Sequence, residues 1–219
     1  MPLFSDPYLY PGTQILINNF NIKDAKKLAQ VERAVSWEGR QSLEIDPINL
    51  PFTLEYLQAI HQRLFGKLYP WAGKLRTVNI SKGGNSFLPA DRFDTAGQAL
   101  KETISQSGLL DKDLPEPDFI HHISDLLADL NYIHPFREGN GRSQRAFIDM
   151  VAKVSGRKIT WRNISTHDYM LASIETFHSG NGKAFIPLFP KMLLPPVEGL
   201  SILDSSFYAV TPLELNNGL

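Results

Sequence analysis

The sequence predicts a mainly α-helical protein, a helical bundle carrying one small β-hairpin. Three observations lead there. Apolar residues recur at three-and-four spacing in segment after segment, as the buried face of an α-helix requires. Only the stretch around 76–89 joins β-branched residues to a glycine turn. The chain has no cysteine, so packing must stabilise it, and disulfides, thiolate metal sites and cysteine nucleophiles are excluded together.

Composition narrows the function classes. Of 219 residues, 42% are hydrophobic and 21% charged, enough for one domain with a sizeable core. Lys+Arg 22 against Asp+Glu 23 leave a formal net charge of -1, which argues against direct binding to nucleic acid phosphates. No run approaches the roughly 20 apolar residues that cross a bilayer, and the first residues lack the basic start and apolar stretch of a secretory signal. A cytoplasmic protein with no membrane partner is expected.

The elements follow in order. Asp6 to Thr13, rich in Pro, Gly and Tyr, reads as an irregular arm. Ala25, Leu28, Ala29, Val31 and Ala34 predict a helix over 23–35, with Asn21 as its cap. Leu54, Leu57, Ile60, His61 and Leu64 predict a second helix from Thr53, the N-cap, to Leu64. Residues 76–80 read as a strand, 81–86 as a glycine turn and 87–89 as a short return strand. A helix is expected over 96–105. Another opens at Pro115 and Pro117, with Ile120, Ile123, Leu126, Leu127, Leu130 and Ile133 facing the core. The helix after the 134–141 loop turns Ala146, Phe147, Met150, Val151 and Val154 inward and stops at Gly156. A last helix spans 166–177, and beyond Pro195 the composition is loop-like. This gives an arm and helix over 1–52, a catalytic unit over 53–194 and a tail over 195–219.

The loop His134 to Arg145, HPFREGNGRSQR, carries the chemistry. Glycines on both sides of Asn140, just before a helix, let successive N–H groups turn toward one point, an anion site at the positive end of the helix. Arg142 and Arg145 lie three apart and share a helix face, and their forked guanidinium groups suit phosphate oxygens. Glu138 would repel phosphate unless a cation lay between them, and Mg²⁺ is commonly held by one carboxylate plus phosphates. His134 titrates nearest neutrality and is the natural general base. No Gly-Lys pair in the chain completes a P-loop.

That segment resembles the signature of the Fic family, HPFx[D/E]GNGRxxR, at every defined position, and YPWAGKLRTVNI and DPYLYPGTQIL resemble its flap approach and N-terminal arm. The resemblance covers about 6–190 and implies a Fic-fold helical bundle whose flap, 79–88, is a β-hairpin. It implies a protein adenylyltransferase: His134 deprotonates a target hydroxyl, which attacks the α-phosphate of ATP. Glu138 holds Mg²⁺ between the α- and β-phosphates. Gly139, Asn140 and Gly141 form the anion hole, with Asn140 touching the α-phosphate, while Arg142 takes the β-phosphate and Arg145 the γ-phosphate. Asn79, Ile80, Ser81, Lys82, Gly83 and Gly84 dock the target by strand addition. Glycine at 141, where the Doc-like branch has lysine, favours AMP transfer over phosphorylation.

Many Fic proteins inhibit themselves through [S/T]-x-x-x-E-[G/N]. No glutamate in this chain has Ser or Thr four residues before it. The expectation is therefore a toxin whose separate small antitoxin supplies a Ser/Thr-x-x-x-Glu helix to Arg145. Members resembling this arm-plus-core arrangement modify the ATPase subunits of DNA gyrase and topoisomerase IV. The length leaves no room for a large delivery domain, which places a host-directed effector second, followed by a non-catalytic binding module with the same fold.

Overall fold

The computed structural model describes residues 6–195; the expected tail from 196 onward lies outside them. Seven α-helices and one two-stranded hairpin are formed among these residues. In chain order they are α1 (Ala25–Ile45), α2 (Leu54–Phe65), β1 (Ser81–Lys82), β2 (Asn85–Ser86), α3 (Phe93–Gln106), α4 (Glu116–Ile133), α5 (Asn140–Val154), α6 (Thr166–Ser179) and the short α7 (Phe189–Met192).

α4 is the central helix, packed on α3, α5, α6 and α7, and α2 lies against α1, α3 and α5. The α4 stripe is as expected: Ile123, Leu126, Leu127 and Leu130 have no exposed surface. Pro117 sits in its first turn, where a missing N–H costs no helical bond. From α5, Phe147, Ile148 and Val151 enter the same core. Val154, expected inward, is 46% exposed, because the buried positions of α5 end at Ala152 and its last residue overhangs the core.

α1 runs ten residues beyond its expected end. Its buried positions are Leu28, Ser36, Gly39 and Leu43, so the inward face continues after Val35 through two small residues that hydropathy does not register before it reaches Leu43. The cap is also displaced. Asp24 accepts a hydrogen bond from the Lys27 N–H at 2.7 Å, whereas Asn21 has φ 52 and lies outside the helix. At Gly39 the two helix backbones meet: a Cβ there would lie 2.4 Å from the Arg63 carbonyl oxygen and 2.7 Å from Leu64 Cα.

The hairpin ladder is shorter than expected and displaced toward its tip. Its pairs are Ser81–Ser86 and Lys82–Asn85, joined by Gly83 (φ 57) and Gly84 (φ 84), a two-residue turn whose positive φ values suit the strand twist. Residues 76–80 form no strand because the hairpin base is held by a side chain. Buried Arg76 donates to the carbonyl of Val78 at 2.7 Å and to that of Leu88, tying the two arms together from within.

Replacing Gly39 by Ala forces the α1 and α2 backbones apart. The expected cost is about 2 kcal/mol, a fall in thermal midpoint of roughly 4–8 °C. At Gly97 in α3 an added Cβ meets only the Leu54 side chain, at 3.3 Å, so Gly97→Ala is expected within about 1 kcal/mol of the parent. Thermal denaturation of both variants checks the contrast.

Candidate active site

The turn between α4 and α5 brings the signature residues together. α4 ends on His134 in the left-handed conformation (φ 41, ψ 60), and Gly139 (φ 81) precedes α5. Glycine is required at 139, since a Cβ would lie 2.5 Å from the rigid Phe65 ring. The Asn140 side chain closes the turn: its Oδ1 accepts from the Phe136 N–H at 2.9 Å and its Nδ2 donates to the Phe136 carbonyl at 2.7 Å. That side chain thus faces the loop backbone and leaves its main-chain N–H to the helix end. The first intrahelical bond of α5 runs from the Ser143 N–H to the Gly139 carbonyl, so the N–H groups ahead of it have no helical acceptor.

His134 is held from three sides. Its Nδ1 lies 3.1 Å from the Asn131 carbonyl, which can only accept; the proton is therefore on Nδ1 and the lone pair on Nε2. The Phe87 ring from the flap base stacks on the imidazole at 3.7 Å. The His134 carbonyl accepts from Arg76 Nε at 2.9 Å. Burial pushes the imidazole pKa down to about 3, against the bond to Asn131, and the nearby Arg76 and Lys82 charges lower it further. The ring is neutral across the physiological range.

Arg142 and Arg145 leave α5 in different directions. Arg142 pairs with Glu32 of α1, donates to Ser36 Oγ at 3.3 Å and lies over the Phe65 ring at 4.7 Å. Arg145 sits 5.9 Å from the Tyr169 ring of α6, and its buried Nη1 has no hydrogen-bond partner. Glu138 is exposed; its Oε1 accepts from the Gly139 N–H at 2.8 Å and lies 3.8 Å from Arg142. Among the described residues no group of three or more His, Cys, Asp or Glu forms a metal cage. A single exposed carboxylate beside an anion site fits Mg²⁺ shared with phosphate oxygens.

The flap residues stand at the same end of the molecule. Asn79 Oδ1 accepts from the Ala90 N–H at 2.9 Å, residues 81–84 are exposed, and β1 pairs only with β2 in the described sheet. One edge of the hairpin is therefore open to an added strand.

Three supporting residues carried no functional signal in the sequence beyond a charge or imidazole inside a buried pattern. They are Glu32, one turn before Ser36 on the inward face of α1, Arg76, and His61. His61 is fully buried in the α2 stripe. Its Nδ1 accepts from the Gly73 N–H at 2.8 Å and its Nε2 donates to the Glu138 carbonyl at 2.9 Å, while its ring stacks on Phe136 at 3.8 Å. Burial pushes its pKa down to about 3, against the bond to Glu138, with the Arg142 charge adding to the lowering.

Known proteins resemble this chain in sequence and fold. A family model described as Fic/DOC matches residues 51–152. The probable protein adenylyltransferase Fic of Salmonella typhimurium is 30% identical over 188 residues, 86% of this chain and 92% of that protein. Protein adenylyltransferase VbhT of Bartonella schoenbuchensis is 32% identical over 177 residues, 81% of this chain but 37% of VbhT; the chain spans little over a third of that relative. The crystal structure of BepC, a VirB-translocated effector of Bartonella tribocorum with bound AMPPNP, matches with a TM-score of 0.77. It is 27% identical and is aligned over 86% of this chain and 96% of its own.

The two neutral histidines make the fold acid-sensitive. Their folded pKa values of about 3 lie below the ordinary 6.5, so the unfolded chain binds more protons between those values. Their contribution is complete above about pH 6.5 and declines as pH falls toward 3, by at most about 1.4 kcal/mol per group per pH unit. The thermal midpoint is expected to drop over this window. His61→Gln, which can still donate to Glu138, should flatten the slope while lowering the midpoint at pH 7; an unchanged slope would remove His61 from the account.

Proposed function

The chain belongs to the Fic/DOC family as a protein adenylyltransferase, and from that premise we propose that it transfers AMP from Mg-ATP to a side-chain hydroxyl of a target protein with His134 as general base. The observation that carries this reading is the bond from His134 Nδ1 to the Asn131 carbonyl. It leaves Nε2 unprotonated on the turn that leads into α5, whose first turns carry Arg142 and Arg145.

In the proposed reaction the target hydroxyl oxygen attacks the α-phosphorus of ATP, and its proton passes to His134 Nε2. The bond from the α-phosphorus to the oxygen bridging to the β-phosphate breaks, and pyrophosphate leaves with that electron pair. The N–H groups of Asn140 and Gly141, and that of Gly139 once the Glu138 carboxylate releases it, receive charge that grows on the α-phosphoryl oxygens. Arg142 and Arg145 bind the β- and γ-phosphates. Glu138 would hold Mg²⁺ together with phosphate oxygens, and the ion would supply charge neutralisation to the leaving pyrophosphate. The flap residues Asn79 to Gly84 hold the target segment extended, so that its hydroxyl reaches Nε2.

The proposed regulation rests on the same site, and the proposed target on the resemblance of the arm-plus-core arrangement alone. Arg145 Nη1 lacks a partner, and no glutamate of the chain stands in an [S/T]-x-x-x-E motif. Both support a toxin restrained by a separate cytoplasmic antitoxin whose glutamate pairs with Arg145. The proposed targets are the ATPase subunits of DNA gyrase and topoisomerase IV. The second reading, a host-directed effector, is favoured by the likeness to BepC, which is itself described as VirB-translocated.

Incubation with α-labelled ATP, Mg²⁺ and bacterial lysate is expected to label one or a few protein bands, and γ-labelled ATP none. His134→Ala should reduce labelling by at least about a hundredfold, the usual contribution of a positioned base. Labelling that survives in His134→Ala overturns the base assignment. Bands that appear only in a eukaryotic lysate would favour the effector.

A further inference from the structure

Arg142 is held by the first helix, 110 positions earlier in the sequence. Glu32 Oε1 accepts from Arg142 Nη2, and Ser36, one turn further along α1, accepts from Nη1 at 3.3 Å. Phe65 supports the guanidinium face at 4.7 Å. The second Glu32 oxygen accepts from the Tyr69 hydroxyl, and Tyr69 is buried and stacked on Trp71 at 4.4 Å. Glu32 is therefore anchored itself, and it fixes the cation through that anchor. We infer that Glu32 positions Arg142 for the nucleotide, a role that rests on the adenylyl transfer proposed above.

The physical reason is a competition between two carboxylates. Arg142 Nη2 also lies 3.8 Å from Glu138 Oε1, one helical turn away. Without Glu32, the nearest anion able to capture the guanidinium is Glu138, the carboxylate offered to Mg²⁺. Such a collapse would remove the phosphate cation and the metal carboxylate in one step. With Glu32 in place, two terminal nitrogens are occupied on the α1 side, and the remaining donors of the five-donor fork stay available to phosphate. The side chains of Glu32 and Arg142 are 14% and 29% exposed, so the pair is partly shielded, unlike the solvated ion pairs that hold no fixed geometry.

α1 is registered along α5 by further pairs. Arg40 bonds Asp149, and Glu44 accepts from Lys153 at 3.3 Å. The order 32, 40, 44 matches 142, 149, 153, so the two helices, each packed on α2, run in the same direction and are bridged by long side chains. Glu32 is the member of this series nearest the turn.

Calorimetry of the whole chain with Mg-ATP, Mg-ADP and AMP tests the role. Glu32→Ala is expected to weaken ATP and ADP binding by roughly tenfold, the lower range for a supporting residue, and to leave AMP, which has no β-phosphate, unchanged. In the labelling reaction KM for ATP should rise by a similar factor with kcat within about twofold. In an Arg142→Ala background Glu32→Ala should have no further effect. Ser36→Ala, a milder change if Glu32→Ala unfolds, should weaken ATP by about threefold. Unchanged or tighter ATP binding, an equal loss for AMP, or a full effect in Arg142→Ala would each overturn the positioning role. Those results with His134-dependent labelling intact leave adenylyl transfer standing; absence of ATP binding by the parent chain would defeat both.

Discussion

The Asn140 carboxamide grips both main-chain groups of Phe136, its N–H and its carbonyl, and this pair of bonds sets the path of the turn between α4 and α5. The turn has little freedom left. α4 must end left-handed at His134, Gly139 must turn left-handed against the Phe65 ring, and Phe136 is buried without exposed surface. With the path fixed, α5 begins six residues after the histidine, with N–H groups ahead of Ser143 that have no helical acceptor. The proposed anion site and the proposed base thus lie on one local closure.

That closure is supported by polar groups placed where most cores have only hydrocarbon. His61 takes up the Glu138 carbonyl, Arg76 the His134 carbonyl, and Glu32 the Arg142 guanidinium. A buried polar group is costly unless it is hydrogen-bonded. Each of these three makes more than one bond, so a displaced turn would strand several groups together. The same burial keeps both histidines neutral, and their hydrogen bonds select their tautomers.

Much of this was legible in the sequence. The α4 stripe, a helix after the signature and the hairpin could be read because spacing and glycine carry them directly. The far end of α1 could not, since Ser36 and Gly39 replace bulk with closeness and a hydropathy pattern records only bulk. The hairpin ladder was misplaced because Arg76, a charge within a β-branched run, takes carbonyls that a strand would have paired. At the site the signature stood out as a contiguous string. Its supporting residues did not: Glu32, His61 and Arg76 reach partners 110, 77 and 58 positions away.

The pairing of Glu32 with Arg142 also orders events during synthesis. The helix bearing Glu32 is made early and waits for an arginine 110 residues behind it, so the loop closed by their meeting takes in half the chain. A contact so distant forms late, after the local helices have formed. A ribosome can therefore expose the first helices of this protein well before Arg142 meets Glu32.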